Sequence, residues 1–166
     1  GVLIKNTDDY LDNYSGGEGV SGEFAAKYAG ALGNSITVSM ADSASYATWD
    51  YKSSFDAAPG TSDYADRTGA TDDELHVIVI DSNGAWTGTA GAVLEKFAFV
   101  SKASDAKKAD GTNNYYKDSI NSRSQYIWWL DHPVDGANWG DVAGTTSFDT
   151  IATAYEVTLS GGVDDL

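Results

Sequence analysis

Leu75-His76-Val77-Ile78-Val79-Ile80 is the most apolar run of the chain. It is rich in β-branched residues and bounded by Asp72-Asp73-Glu74 on one side and Asp81-Ser82-Asn83-Gly84 on the other. Such a run reads as a central strand covered on both faces, with Asp81 to Gly84 as its turn. Working outward, Ile36-Thr37-Val38-Ser39-Met40 alternates apolar and polar side chains, the pattern of a half-buried strand. Ala92 to Val100 fits either period, because Val93, Phe97 and Val100 have helical spacing while Val93, Glu95, Phe97 and Phe99 alternate; a strand is the preferred reading. Tyr126 to Leu130 reads as a further strand ended by Asp131-His132-Pro133, and Tyr155 to Leu159 as the last.

The connecting segments are predicted less regularly. Val2-Leu3-Ile4 reads as a short strand, and Asn6 to Gly22 as a polar loop pinned by Tyr10, Leu11 and Tyr14. Glu23 to Leu32 suits about two helical turns, with Gly33 as the stop. Asn114 to Ser122 carries Tyr116 and Ile120 four residues apart, on one face of a helix. Residues 41–74 are rich in Ala, Ser, Asp and Gly, with aromatics at no regular period; they read as a surface excursion and a possible insertion site within one domain spanning 1–166. The fold class expected is α+β: a mixed sheet or sandwich core, a few short flanking helices, and long Gly- and Asp-rich loops.

Composition narrows the chemistry. The chain has 166 residues with 25 acidic against 10 basic side chains, a net charge of -15, so a nucleic-acid duplex would repel it. It has no cysteine, which removes disulfides, thiolate nucleophiles and cysteine-held metals. No apolar run approaches the roughly 18 residues of a membrane span, and Gly1 to Asp9 lack the layout of a signal peptide. Charge is also segregated: residues 1–95 sum to -11, residues 96–123 to +3, and residues 124–166 to -7. A basic segment inside an acidic chain can meet an acidic face of another copy, and such complementarity fixes register.

Several motifs mimic catalytic or ligand sites. Gly17-Glu18-Gly19-Val20-Ser21-Gly22 has the glycine spacing of a dinucleotide fingerprint, but the polar run Asp8 to Ser15 before it cannot be the buried strand that must feed those glycines. His76, in mid-strand, reads as a structural histidine. Asp131-His132 lacks a Gly-x-Ser-x-Gly elbow, and neighbours on an extended chain point apart, so no hydrolytic triad is expected. Asp72-Asp73-Glu74 and Asp164-Asp165 read as solvated carboxylates rather than a glycosidase pair. Asp81 to Gly84 and Asp105 to Asp110 supply oxygen ligands, yet neither completes a twelve-residue calcium loop. Gly84 to Gly91 has no Lys followed by Ser or Thr and so makes no phosphate cradle. Neither cofactor nor metal is expected. Trp128 and Trp129 face opposite ways on a strand, which fits either one ring in the core with the other exposed or under a neighbouring element, where it could stack on a sugar or anchor an interface, or core packing on both faces.

Taken together, longer segments resemble one family. These are Phe24 to Ser35 (Phe-Ala-Ala-Lys-Tyr-Ala-Gly-Ala-Leu-Gly-Asn-Ser), Leu75 to Asp81 with Asn83-Gly84, Gly88 to Phe97, and Ser101 to Lys107 with Asp110-Gly111. They continue through Asn114 to Asp118, Ile120-Asn121, Ser124, Tyr126 to Trp129 and the closing Leu159-Ser-Gly-Gly-Val-Asp164. In that order they resemble the tail sheath proteins of contractile-tailed bacteriophages, while residues 41–74 and 131–150 match poorly. The resemblance implies a structural subunit without catalytic residues. Copies would stack as hexameric rings around a tail tube above a baseplate, and contraction would drive the tube through the host envelope. It implies a virion component assembled in the host cytoplasm, without direct membrane insertion or nucleic-acid binding. Sheath subunits of this family are longer and carry interlocking arms at their ends, so the chain is expected to be an internal portion of one. Lys102, Lys107, Lys108 and Arg123 are the residues expected to meet acidic surface on a neighbouring copy. The alternative reading, suggested by 5 Trp, 10 Tyr, glycine loops and an acidic surface, is a carbohydrate-binding or adhesin-like β domain.

Overall fold

The computed structural model describes residues 2–17, 22–28 and 30–160. The elements run α1 (Thr7–Asn13), β1 (Phe24–Ala26), β2 (Ile36–Ala41), α2 (Asp63–Thr68), β3 (Glu74–Asp81), β4 (Ala92–Ser101), α3 (Tyr116–Arg123), β5 (Ile127–Trp129) and β6 (Tyr155–Thr158). The apolar run at Leu75–Ile80 occupies β3, an inner strand of a four-stranded sheet in the order β4-β3-β2-β6, and β1 and β5 form a second sheet. All of these ladders are antiparallel. The fold is α+β, with two sheets and short helices, as expected.

Each face of β3 meets a different layer. Leu75, Val77 and Val79 pack with Ile36, Val38 and Met40 of β2 into the main core, which Phe24, Ile127, Trp129, Tyr116 and Ile120 complete. Burial of each such side chain is worth about 1.5–3 kcal/mol, and this fixes the register at Val38 opposite Val79. Ile78 and Ile80 face the other way, under Trp49 and Phe55. The first part of residues 41–74 acts as a lid: Tyr46, Trp49, Tyr51 and Phe55 drop from around short 3-10 turns at Tyr46–Thr48 and Lys52–Ser54 onto the back of the sheet, whereas Tyr64, Ala65 and Ala70 pack with the main core. A third cluster, Ile4, Tyr10, Ala25 and Leu130, lies between α1 and the outer face of the small sheet.

Three expectations are corrected. Val2–Ile4 joins no ladder; Ile4 is instead buried beside Tyr10. Asn6 to Gly22 is not loop throughout, since the Asn6 side chain accepts the Asp9 N–H at 2.9 Å and caps α1, with Asp8 and Asp9 favourably placed in its first turn. The helix expected over Glu23–Leu32 is a strand followed by a 3-10 turn at Ala31–Ser35. Phe24 pairs with Trp129 and Ala26 with Ile127, and this pairing overrides local helix propensity. Gly30, at φ 93, breaks the chain between them. The glycine motif at residues 17–22 has residues 18–21 outside the described residues.

α2 is delimited by its own side chains. The Ser62 hydroxyl accepts the Ala65 N–H at 3.1 Å, and Gly69 closes the helix in the left-handed conformation. β4 carries two bulges, opposite Leu75–Val77 and Val79–Ile80, and its edge bears Lys96; both features blunt an otherwise open ten-residue edge.

Candidate functional site

Of the four basic residues that the sequence assigns to an interface, one is buried and three are exposed. Lys102, at the end of β4, has no exposed surface. Its ammonium lies 2.9 Å from Asp42 Oδ2, donates to the Asp149 carbonyl at 2.9 Å and sits 4.8 Å from the centre of the Trp139 ring. Burial pulls its pKa below that of an ordinary lysine, and Asp42 opposes that pull. Asp42 is satisfied in turn by the N–H groups of Ile151 (2.8 Å) and Ala44 (3.0 Å). Next to this pair, Asp73 accepts from the hydroxyls of Ser101 (2.6 Å) and Ser62 (2.7 Å). These contacts knot together the ends of β2 and β4, the start of α2 and the loop that leads to β6. Lys102 is thus withdrawn from the surface set to which sequence assigned it, because a partner sixty positions away in sequence consumes its charge.

Lys107, Lys108 and Arg123 are exposed. The two lysines stand on a tight turn in which Lys107 bridges Asn113, the Lys108 N–H donates to the Thr112 carbonyl at 2.8 Å, and Gly111 takes φ 84. Arg123 ends α3, its guanidinium 5.2 Å from the centre of the Phe97 ring, which orders the fork without neutralising it. Lys108 and Arg123 line one shallow cleft of about 360 Å³ with Thr112, Asn113, Asp118 and Ser122. Sequence reasoning missed this cleft floor, although Asp118 with Ser122, and Ser119 with Arg123, have the i, i+4 spacing that places each pair on one helix face. Asp118 accepts from Asn113 Nδ2 at 2.8 Å, and Asp110, on the turn beside Lys108, accepts from the Thr112 hydroxyl at 2.6 Å, so both carboxylates are held by neutral donors.

The other sequence candidates are engaged internally. His76 is buried between Ala57, whose carbonyl is 2.8 Å from Nε2, and Phe99, whose N–H donates to Nδ1 at 3.0 Å; burial lowers its pKa. His132 Nδ1 is 2.5 Å from the Tyr116 hydroxyl, and burial brings its pKa down to about 4. Asp81 accepts from Ser35 (2.6 Å), the Thr87 hydroxyl (2.8 Å) and two backbone N–H groups. Trp49, Trp129 and Trp139 are buried. Half-buried Trp128 stacks on Tyr10 with ring centroids 4.5 Å apart, and Trp86 donates from Nε1 to the Leu32 carbonyl at 3.0 Å. Among the described residues, no helix is long and apolar enough to cross a membrane.

No family model matches the chain. Over 92 residues it is 35% identical to the tail sheath protein of Salmonella phage ViI, a stretch that makes up 55% of this chain and 12% of that protein. The chain thus resembles, over about half its own length, a small part of a bacteriophage tail sheath protein.

Proposed function

We propose that the chain is a portion of a bacteriophage tail sheath subunit and acts as a structural element rather than as an enzyme. The observation that carries this reading is the 35% identity over 92 residues to the sheath protein of Salmonella phage ViI. Copies would stack as hexameric rings around a tail tube, join a baseplate and rearrange on contraction; the chain would then reside in the virion after assembly in the host cytoplasm. Contraction would draw its energy from the difference between two packed states, with no nucleotide or other cofactor. The commitment of His76, His132 and Asp81 to internal hydrogen bonds supports a non-catalytic role.

Negative-stain electron microscopy of the full-length protein containing this segment, expressed alone, tests the reading. Hollow tubes or stacked rings of uniform width are the expected result, and discrete monomers at both low and high salt would overturn it.

A further inference from the structure

Five of the ten lysine and arginine side chains are engaged within their own chain. Lys27, Lys52, Lys96 and Lys117 donate to carbonyls of their own chain, at 2.6 Å (Ser124), 3.0 Å (Ala47), 2.9 Å (Ser54) and 2.6 Å (Ser15), and Lys102 is buried on Asp42. Lys102 with Asp42 is also the one ion pair among the described residues. Exposed Lys107, Lys108 and Arg123 make no ion pair, and Lys108 and Arg123 line the same cleft, in a molecule of net charge -15; Asp118 also lines that cleft, and Asp110 feels the charge of Lys108. Unpaired acid is plentiful elsewhere: Asp8 and Asp12 lie four apart on α1, and Asp63 and Asp66 three apart on α2, all exposed.

We infer that the cleft lined by Lys108 and Arg123, with exposed Lys107 beside Lys108 on the adjoining turn, docks an acidic surface of a second copy of this chain. The inference deepens the sheath reading and rests on it for the assembly in which the contact would be made. Its geometry suits that role. The Arg123 guanidinium is already ordered over Phe97, so engaging a carboxylate costs little side-chain freedom. Asp118, which lines the cleft and is held by Asn113, repels an incoming acid that does not seat against Lys108 and Arg123, which makes the contact directional. A head-to-tail contact between the basic cleft of one copy and an acidic helix of the next would be heterologous. Such contacts propagate into rings or helices, whereas a twofold pair closes on itself.

The test compares the full-length protein with a Lys107→Glu, Lys108→Glu, Arg123→Glu triple variant. Sedimentation velocity and electron microscopy at low and high salt supply the readouts. A second triple variant, Lys5→Glu, Lys52→Glu, Lys96→Glu, changes net charge equally at exposed sites outside the cleft and outside α1 and α2. Native melting behaviour in both variants confirms that each still folds. The cleft variant is expected to self-associate about tenfold more weakly than the parent, whose association weakens with salt, while the control associates like the parent. Equal association of parent and cleft variant, or an equal loss in the control, would overturn the inference. A parent that self-associates in a salt-dependent way without forming tubes or rings would overturn the sheath reading and leave the docking contact supported. A parent that does not self-associate at either salt would overturn both.

Discussion

His76 accepts the backbone N–H of Phe99 on Nδ1 at 3.0 Å, across a bulge in which two β4 residues oppose it and Phe99 takes φ 52. A backbone N–H can only donate, so Nδ1 carries no proton and Nε2 donates to the Ala57 carbonyl at 2.8 Å. One imidazole thus pins both the bulge and the lid, while its ring stacks on Phe55 with centroids 4.3 Å apart. Replacing His76 by Leu keeps the volume but leaves the part-buried Phe99 N–H without its acceptor and the carbonyl of exposed Ala57 to water. Urea unfolding is expected to show a loss of about 1–3 kcal/mol, and a loss below about 0.5 kcal/mol would contradict this role.

The buried ion pair is unequal in its connections. Lys102 serves Asp42 and one carbonyl, whereas Asp42 also holds the N–H groups of Ile151 and Ala44. Asp42→Ala is therefore expected to cost more than Lys102→Met, with the former in the range of about 3–5 kcal/mol for a broken buried pair. Thermal melts of the two variants decide it, and the reverse ranking would contradict the connectivity.

His132 gives the fold a pH dependence of definite sign. Burial brings its pKa from 6.5 to about 4, so the folded state binds it as the neutral base while the unfolded chain protonates it more readily. Its contribution is complete above about 6.5 and is lost as pH falls through about 4. His132→Gln is expected to flatten the stability profile over that window relative to the parent. Parallel profiles from pH 4 to 6.5 would rule the linkage out.

Gly136 has no spare room. A Cβ placed there would lie 2.6 Å from the Trp139 ring, which is held in turn by its Nε1 donating to the Asp149 carbonyl at 2.8 Å. Gly136→Ala is expected to destabilise by about 1–3 kcal/mol through overpacking, and tryptophan emission should shift as Trp139 moves. An unchanged melting temperature would show that the ring yields freely.

How much of this was legible in the sequence depends on where each signal resides. β3 was readable because an apolar β-branched run bounded by turn residues has few other uses, and α3 because Tyr116 and Ile120 lie on one face. β1 was not, because Phe24-Ala-Ala has no strand signature of its own and extends only because Trp129 lies opposite Phe24. α1 escaped because a short polar helix with one buried residue, Tyr10, shows no apolar period. Within the basic segment, charge alone could not separate Lys102 from Lys108. The difference is the distant Asp42, a tertiary contact that no local pattern encodes.

The pairing of β6 with β2 has a consequence for biogenesis. Both flanks of β2 are filled in the finished sheet, β3 on one side and β6 on the other, and Thr37 meets Thr158 across 121 positions of sequence. A ribosome adding roughly 5–20 residues per second delivers that closing strand on the order of ten seconds after β2. During the interval the nascent chain carries an apolar template with one bare edge, so the delay invites mispairing between neighbouring polysomal chains and makes late-stage stalling a hazard for this sequence.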